Sequence, residues 1–140
     1  MPTDPADPIN QLTGSIIAAA LKVHKALGPG LLESAYSVCL VYELRRSQFH
    51  VDVQRAVPII YEEVSLDCGY RLDMVVNDTA VVELKAIDRL APIHSAQMLT
   101  YLKLTGYPVG LLINFNVPLL KLGITRLLNP RPASKFLPSP

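Results

Sequence analysis

Hydrophobic residues recur at helical spacing over residues 12–27, where Ile16, Ala19 or Ala20, Val23 and Leu27 share one face. Gly28-Pro29-Gly30 ends that pattern, because glycine supplies a left-handed cap and proline cannot continue the turn. A second helical run covers residues 31–46, with Leu32, Tyr36, Leu40 and Leu44 in register. The period then drops to two. Val51, Val53, Val57, Ile59 and Tyr61 alternate with other positions, and after Glu62-Glu63 the alternation restarts on even numbers from Val64 through Leu72, Met74 and Val76. Odd positions in that second run carry Ser65, Asp67, Gly69, Arg71 and Asp73, so one strand face is expected in the core and the other in solvent. Asn77-Asp78-Thr79 reads as a turn, and residues 80–87 as a strand with Val82, Leu84 and Ala86 opposite in sense to Val81, Glu83 and Lys85. Pro92 opens a helix that Gly106 ends. Residues 109–115 are almost continuously apolar, the mark of a strand buried on both faces. Strand, helix and buried strand in succession make a crossover, so the pattern predicts an α/β domain with a mixed sheet flanked by helices.

Register brings charges together. In the hairpin, core-facing residues of both strands share a face, so even positions must oppose even positions. The shortest such pairing sets Val76 against Ala80 across a three-residue loop, which also sets Leu72 against Leu84 and Asp73 against Glu83. Lys85 projects from the same face as Glu83. Two carboxylates beside an ammonium suit Mg²⁺, which takes oxygen ligands, commonly one or two carboxylates with water and substrate phosphate. Such an ion polarises a phosphoryl group and lowers the pKa of bound water. The same residues could equally form a surface ion pair on a polar strand face, worth about 0–1 kcal/mol and without function.

Composition narrows the classes. Half of the 140 residues are apolar and 18% are charged, which places the chain among globular proteins, large enough for one domain with a real core. A net charge of +1 does not advertise a duplex-binding surface, so any basic patch must be local. Cys39 and Cys68 show no metal-ligand spacing and read as two core thiols in a reducing cytoplasm. The early apolar run is far too short to span a bilayer, and the acidic, proline-rich start does not resemble a signal peptide; a cytoplasmic protein without membrane contact is expected. Pro2, Pro5, Pro8, Pro130, Pro132, Pro138 and Pro140 fall near the ends, so residues 1–9 and 129–140 are expected to be loose tails around a single body, residues 10–128. No GxxxxGK[ST] loop is present, so nucleoside triphosphate hydrolysis has no support.

Asp73, nine residues, then Glu83-Leu84-Lys85 resembles the D-x(n)-E-x-K signature of the PD-(D/E)XK nuclease superfamily. Gln97 and Tyr101 resemble the Q-x-x-x-Y pattern on the following helix of RecB-type nucleases, and residues 30–36, GLLESAY, match the signature of the GxxExxY family placed in that superfamily. The strings VHKALGPGLLESAY, LDCGYRLDMVV, VELKAI and LLINFNVP extend the likeness over about residues 12–128. The resemblance implies a restriction-endonuclease-like fold and a Mg²⁺ site, with Mn²⁺ as a substitute. Asp73, Glu83 and the Leu84 carbonyl would be metal ligands, Lys85 the catalytic lysine, and Glu33 the helix-borne acid beside the metal. Gln97 and Tyr101 would orient lysine, water or phosphate, although four-residue spacing also fits a partly buried polar pair on one helix face. His24 is a further candidate for the metal shell or an ordinary buried histidine; His94 reads as structural, His50 as surface, Tyr36 as core and Gly30 as the residue leading into its helix. The expected activity is hydrolysis of nucleic-acid phosphodiesters, DNA first, by a chain acting alone, as a homodimer or with a partner protein. The competing expectation is a non-catalytic nucleic-acid- or protein-binding module that keeps the nuclease scaffold.

Overall fold

Helix α1 (Pro8–Leu27) begins earlier than the apolar periodicity suggests, because Asp7 caps it: its side chain accepts the Ile9 N–H at 2.8 Å, and Pro8 sits in the first turn. The computed structural model describes residues 7–137. Of the two expected loose tails, residues 1–6 and 138–140 lie outside that range. After α1 come α2 (Glu33–Arg46), β1 (Val51–Ala56), β2 (Ile59–Tyr61), β3 (Val64–Leu66), β4 (Arg71–Val76), β5 (Ala80–Lys85), α3 (Pro92–Thr105), β6 (Val109–Asn114) and β7 (Ile124–Leu128).

Five strands form one sheet in the order β1-β4-β5-β6-β7, with β5 and β6 parallel and the other pairs antiparallel. The parallel pair is the one that α3 bridges, as the crossover pattern requires. This is the mixed α/β sheet expected of a restriction-endonuclease-like domain. Ile16, Ala20 and Val23 of α1 and Tyr36, Leu40 and Leu44 of α2 pack with Met74, Val76, Val82, Leu84, Leu111 and Ile113 on one face. On the other, α3 lays Met98, Tyr101 and Leu102 against Val75 and Val81. The strands β4 and β5 are therefore covered on both faces, and the odd face is polar only where α3 leaves it. Helix α1 is also tied to the far edge strand, where Arg126 donates to Thr13 and Asn10 side chains.

Three expectations change. The long alternating strands break: Val57-Pro58 separates β1 from β2, and a loop over residues 67–70 separates β3 from β4. The pieces β2 and β3 leave the main sheet as a separate two-stranded ribbon, so Val64 and Leu66 are exposed rather than core. Cys68 is likewise exposed, while Cys39 packs against the α1/α2 core. Residues 129–137 are not loose. Buried Asn129 donates to the carbonyls of Leu102 (2.9 Å) and Tyr107 (3.0 Å), which satisfies the exposed end of α3. The Ala133 N–H then meets the Gly106 carbonyl at 2.8 Å, and Phe136 packs on Tyr107. Periodicity could not disclose this, because the segment docks through backbone groups and single side chains.

Two glycines give a contrast in stability. Gly14 lies on the exposed side of α1 with open space around it, whereas a Cβ at Gly123 would fall inside van der Waals contact of the Asn114 backbone oxygen. Gly14→Ala should stabilise the protein by about 0.5–1 kcal/mol, and Gly123→Ala should destabilise it by about 1–3 kcal/mol. Urea unfolding of both variants checks the order; a neutral Gly123→Ala would contradict the packing described here.

Candidate metal and catalytic site

The turn at residues 77–79 sets Val76 against Ala80, Val75 against Val81 and Met74 against Val82, the register that the hairpin parity demands. Asn77 and Asp78 take the left-handed conformation, with φ of 51° and 49°, which short polar side chains tolerate. Beyond Met74 the backbone ladder between β4 and β5 stops, and side chains take over. The Asp73 N–H donates to Glu83 Oε1 at 3.1 Å, and the Leu84 N–H donates to Asp73 Oδ2 at 2.8 Å. On the other side of β4, Gln54 has a φ of 52° and its pairing with Asp73 is skipped between Val53↔Met74 and Arg55↔Leu72. The sheet thus bends at Asp73. Past the bend Leu72 packs with Val75 and Val81 instead of sharing the face of Met74, as strict alternation predicts.

Glu83 is only 9% exposed. Burial first, then the neighbouring Asp73 charge and a hydrogen bond between the two carboxyl groups, push its pKa up to about 8. The Asp73 N–H and Lys85 oppose this but do not cancel it. Burial beside a second carboxyl group disfavours the ionised form of Glu83 when no cation is bound.

Lys85 ends β5, half-buried, and its carbonyl accepts the Phe115 N–H at 2.9 Å. Phe115 stacks on Tyr36 with ring centroids 4.5 Å apart. Tyr36 in turn donates its hydroxyl proton to the Gly28 carbonyl (2.6 Å) and accepts the Leu31 N–H (3.1 Å), which holds the Gly28–Gly30 turn and sets where α2 starts. Glu33 lies one turn before Tyr36. Its carboxyl is raised by desolvation and by the Asp73 charge and lowered by Lys85, so it stands at the rim of the same charge cluster. The GxxExxY spacing gains a physical content here: a buried tyrosine anchors the turn while the acid one turn earlier lies within the field of Asp73 and Lys85.

From the opposite helix, Tyr101 is buried with its hydroxyl raised by desolvation and then by the charges of Glu83, Tyr70 and Asp73. Gln97, one turn earlier, is exposed and lines a cleft with Tyr101. His24 is buried, and its Nε2 meets the Val117 carbonyl at 2.8 Å; no described contact joins it to Asp73 or Glu83. His94 accepts the Ala91 N–H through Nδ1 at 2.9 Å and so caps α3, and His50 pairs with Asp52 at the surface. Sequence reasoning passed over Asn114. Its amide accepts the Ile87 N–H (3.1 Å) and donates to the Ile87 carbonyl (2.9 Å), which holds the chain leaving Lys85. A buried polar residue within the apolar run of β6 was the available signal.

A family model described as the PD-(D/E)XK nuclease superfamily matches residues 10–127. The chain belongs to the PD-(D/E)XK nuclease superfamily. No curated protein and no solved structure matches the chain. Superfamily members are usually nucleases that use a divalent metal, typically Mg²⁺. The donor set fits such an ion in kind. It is all oxygen, and it is small: no three or more His, Cys, Asp or Glu side chains gather into a metal-holding group among the described residues. Mg²⁺ commonly binds through one or two carboxylates while keeping several waters.

The raised pKa of Glu83 has a measurable consequence. Its carboxyl is pushed up to about 8 in the folded protein, against an ordinary value of 4.5. Across that window the native state binds more protons, so metal-free stability falls as pH rises. Glu83→Gln, which mimics the protonated form, should flatten that slope and exceed wild-type stability at pH 8. Denaturation in EDTA from pH 5 to 8.5 tests it, and identical slopes in both proteins would place the proton elsewhere.

Proposed function

We propose that the protein is a Mg²⁺-dependent nuclease that hydrolyses nucleic-acid phosphodiesters, with DNA as its substrate. The observation that carries this reading is the Asp73–Glu83 pair, stitched into the sheet by backbone N–H groups with Lys85 and Glu33 within its field. A pair of central strands that spends two N–H groups and a bend on apposing like charges has no packing reason to do so. Asp73, Glu83 and the Leu84 carbonyl would hold the cation, and Glu33 would reach it directly or through water. Bound there, Mg²⁺ would supply polarisation of the phosphoryl group and a more acidic water.

The chain's own groups then have defined tasks. Glu83 would be ionised with a cation bound, and both carboxylates would serve as its ligands. Lys85 holds the attacking water by hydrogen bonding and offsets charge gathering on the phosphate oxygens. The water oxygen bonds to phosphorus and gives up a proton to solvent, the bridging P–O bond breaks, and the leaving oxygen takes a proton from a solvent water. Tyr101 and Gln97 border the approach to that phosphate. A net charge of +1 favours a second reading, a binding module on the nuclease scaffold, because it supplies few phosphate contacts.

The two readings part experimentally. Mn²⁺ or Mg²⁺ should raise the melting temperature of the wild type, more at pH 8 than at pH 5, because protons compete with the cation for the carboxylates. Asp73→Asn should lose most of that gain. Lys85→Ala should keep the gain yet lower cleavage of single- and double-stranded substrates by at least roughly 100-fold. Equal metal shifts in the wild type and an Asp73→Asn, Glu83→Gln double variant would remove the proposed site, and metal binding without cleavage would favour the module.

A further inference from the structure

Beside the carboxylate pair lies a cleft of about 350 Å³ that the hydrolytic chemistry does not require. Tyr70 and Ile59 form one wall, and Ile93, Gln97, Thr100 and Tyr101 of α3 form the other. Tyr101 belongs to both places: it lines the cleft, and its hydroxyl lies within the field of Glu83 and Asp73. The walls are mostly apolar yet open to water, with Tyr70 46% and Ile93 68% exposed. Tyr70 is not a floppy surface residue. Its carbonyl accepts the Val57 N–H at 3.0 Å, its ring stands 6.4 Å from that of Tyr101, and it sits where the chain returns from the β2–β3 ribbon to β4.

We infer that this cleft receives an unpaired nucleobase next to the scissile phosphate, so that the enzyme acts on single-stranded nucleic acid. The inference rests on the nuclease reading for its position and on the cleft's own chemistry for its occupant. An aromatic wall offers a face for stacking any base, and the Gln97 amide can both donate to and accept from a base edge. A duplex buries its base faces, so filling the cleft from one would first require a base to be unstacked and swung out. Stacking on an aromatic wall adds affinity that does not depend on neutralising phosphates, which suits a chain whose net charge is only +1.

The test uses oligonucleotides carrying 2-aminopurine, whose fluorescence falls on stacking, titrated in Mn²⁺ with full-length Lys85→Ala protein so that the probe survives. Single-stranded DNA and RNA probes should both be quenched, because the cleft reads the base, and the matched duplex should bind more weakly. Adding Tyr70→Ala should weaken single-strand binding about tenfold and abolish the quench, while Tyr70→Phe should stay within about twofold. Ile93→Ala, on the other wall, should weaken binding in the same direction without lowering the melting temperature. Unchanged affinity and quench in both alanine variants would overturn the inference. So would self-association that Tyr70→Ala abolishes, which would give the cleft to a second copy of the chain. Cleavage is scored separately on the wild type. Its absence alongside the quench pattern would end the nuclease reading and leave the base site standing.

Discussion

Between β4 and β5 two carboxylates occupy positions where backbone carbonyls would otherwise continue the ladder. Each accepts a main-chain N–H from the other strand, so the pairing continues through side chains after the backbones part at Met74 and Val82. The substitution has a cost, since it brings two acidic groups into a buried corner, and the raised pKa of Glu83 expresses it. The same corner is where β1 kinks at Gln54 and where Leu72 changes sides. Sheet curvature, site and electrostatics are thus one feature.

The remaining elements are placed around that corner. Tyr36 links the Gly28–Gly30 turn to Phe115, and the Phe115 N–H donates to the carbonyl of Lys85, so contacts tie the helix pair to the end of β5. On the other face α3 buries Val75 and Val81 and delivers Tyr101 to the edge of the carboxylate pair. Residues 129–137 brace α3 from behind. Asn129 bonds the Leu102 carbonyl in the last turn of α3 and the Tyr107 carbonyl just beyond it, and Lys135 reaches Asp78, whose carboxyl is held below its ordinary range by hydrogen bonds from Lys135, Tyr107 and Arg55. That network fastens the hairpin turn at the end opposite the site. None of the described helices is long and apolar enough to cross a membrane.

What the sequence by itself determined about this protein is the parity of its strands. Alternation records which side of a strand meets the core, and the turn at residues 77–79 has few lengths that keep Leu84, Val82, Met74 and Val76 on one side, so Asp73 and Glu83 had to fall together. The apolar run of β6 and the proline and glycine bounding α3 announced the parallel crossover in the same local way. Only the tertiary structure decided that α3 covers the odd face, that the ladder ends at Asp73, that burial raises the Glu83 pKa, and that residues 129–137 dock. It also decided that Val64 and Leu66 leave the core and that Tyr70 walls a cleft. The physical reason is locality. Periodicity is written by neighbours in the chain, whereas burial of a carboxylate and the packing of a second face depend on groups that only folding brings near.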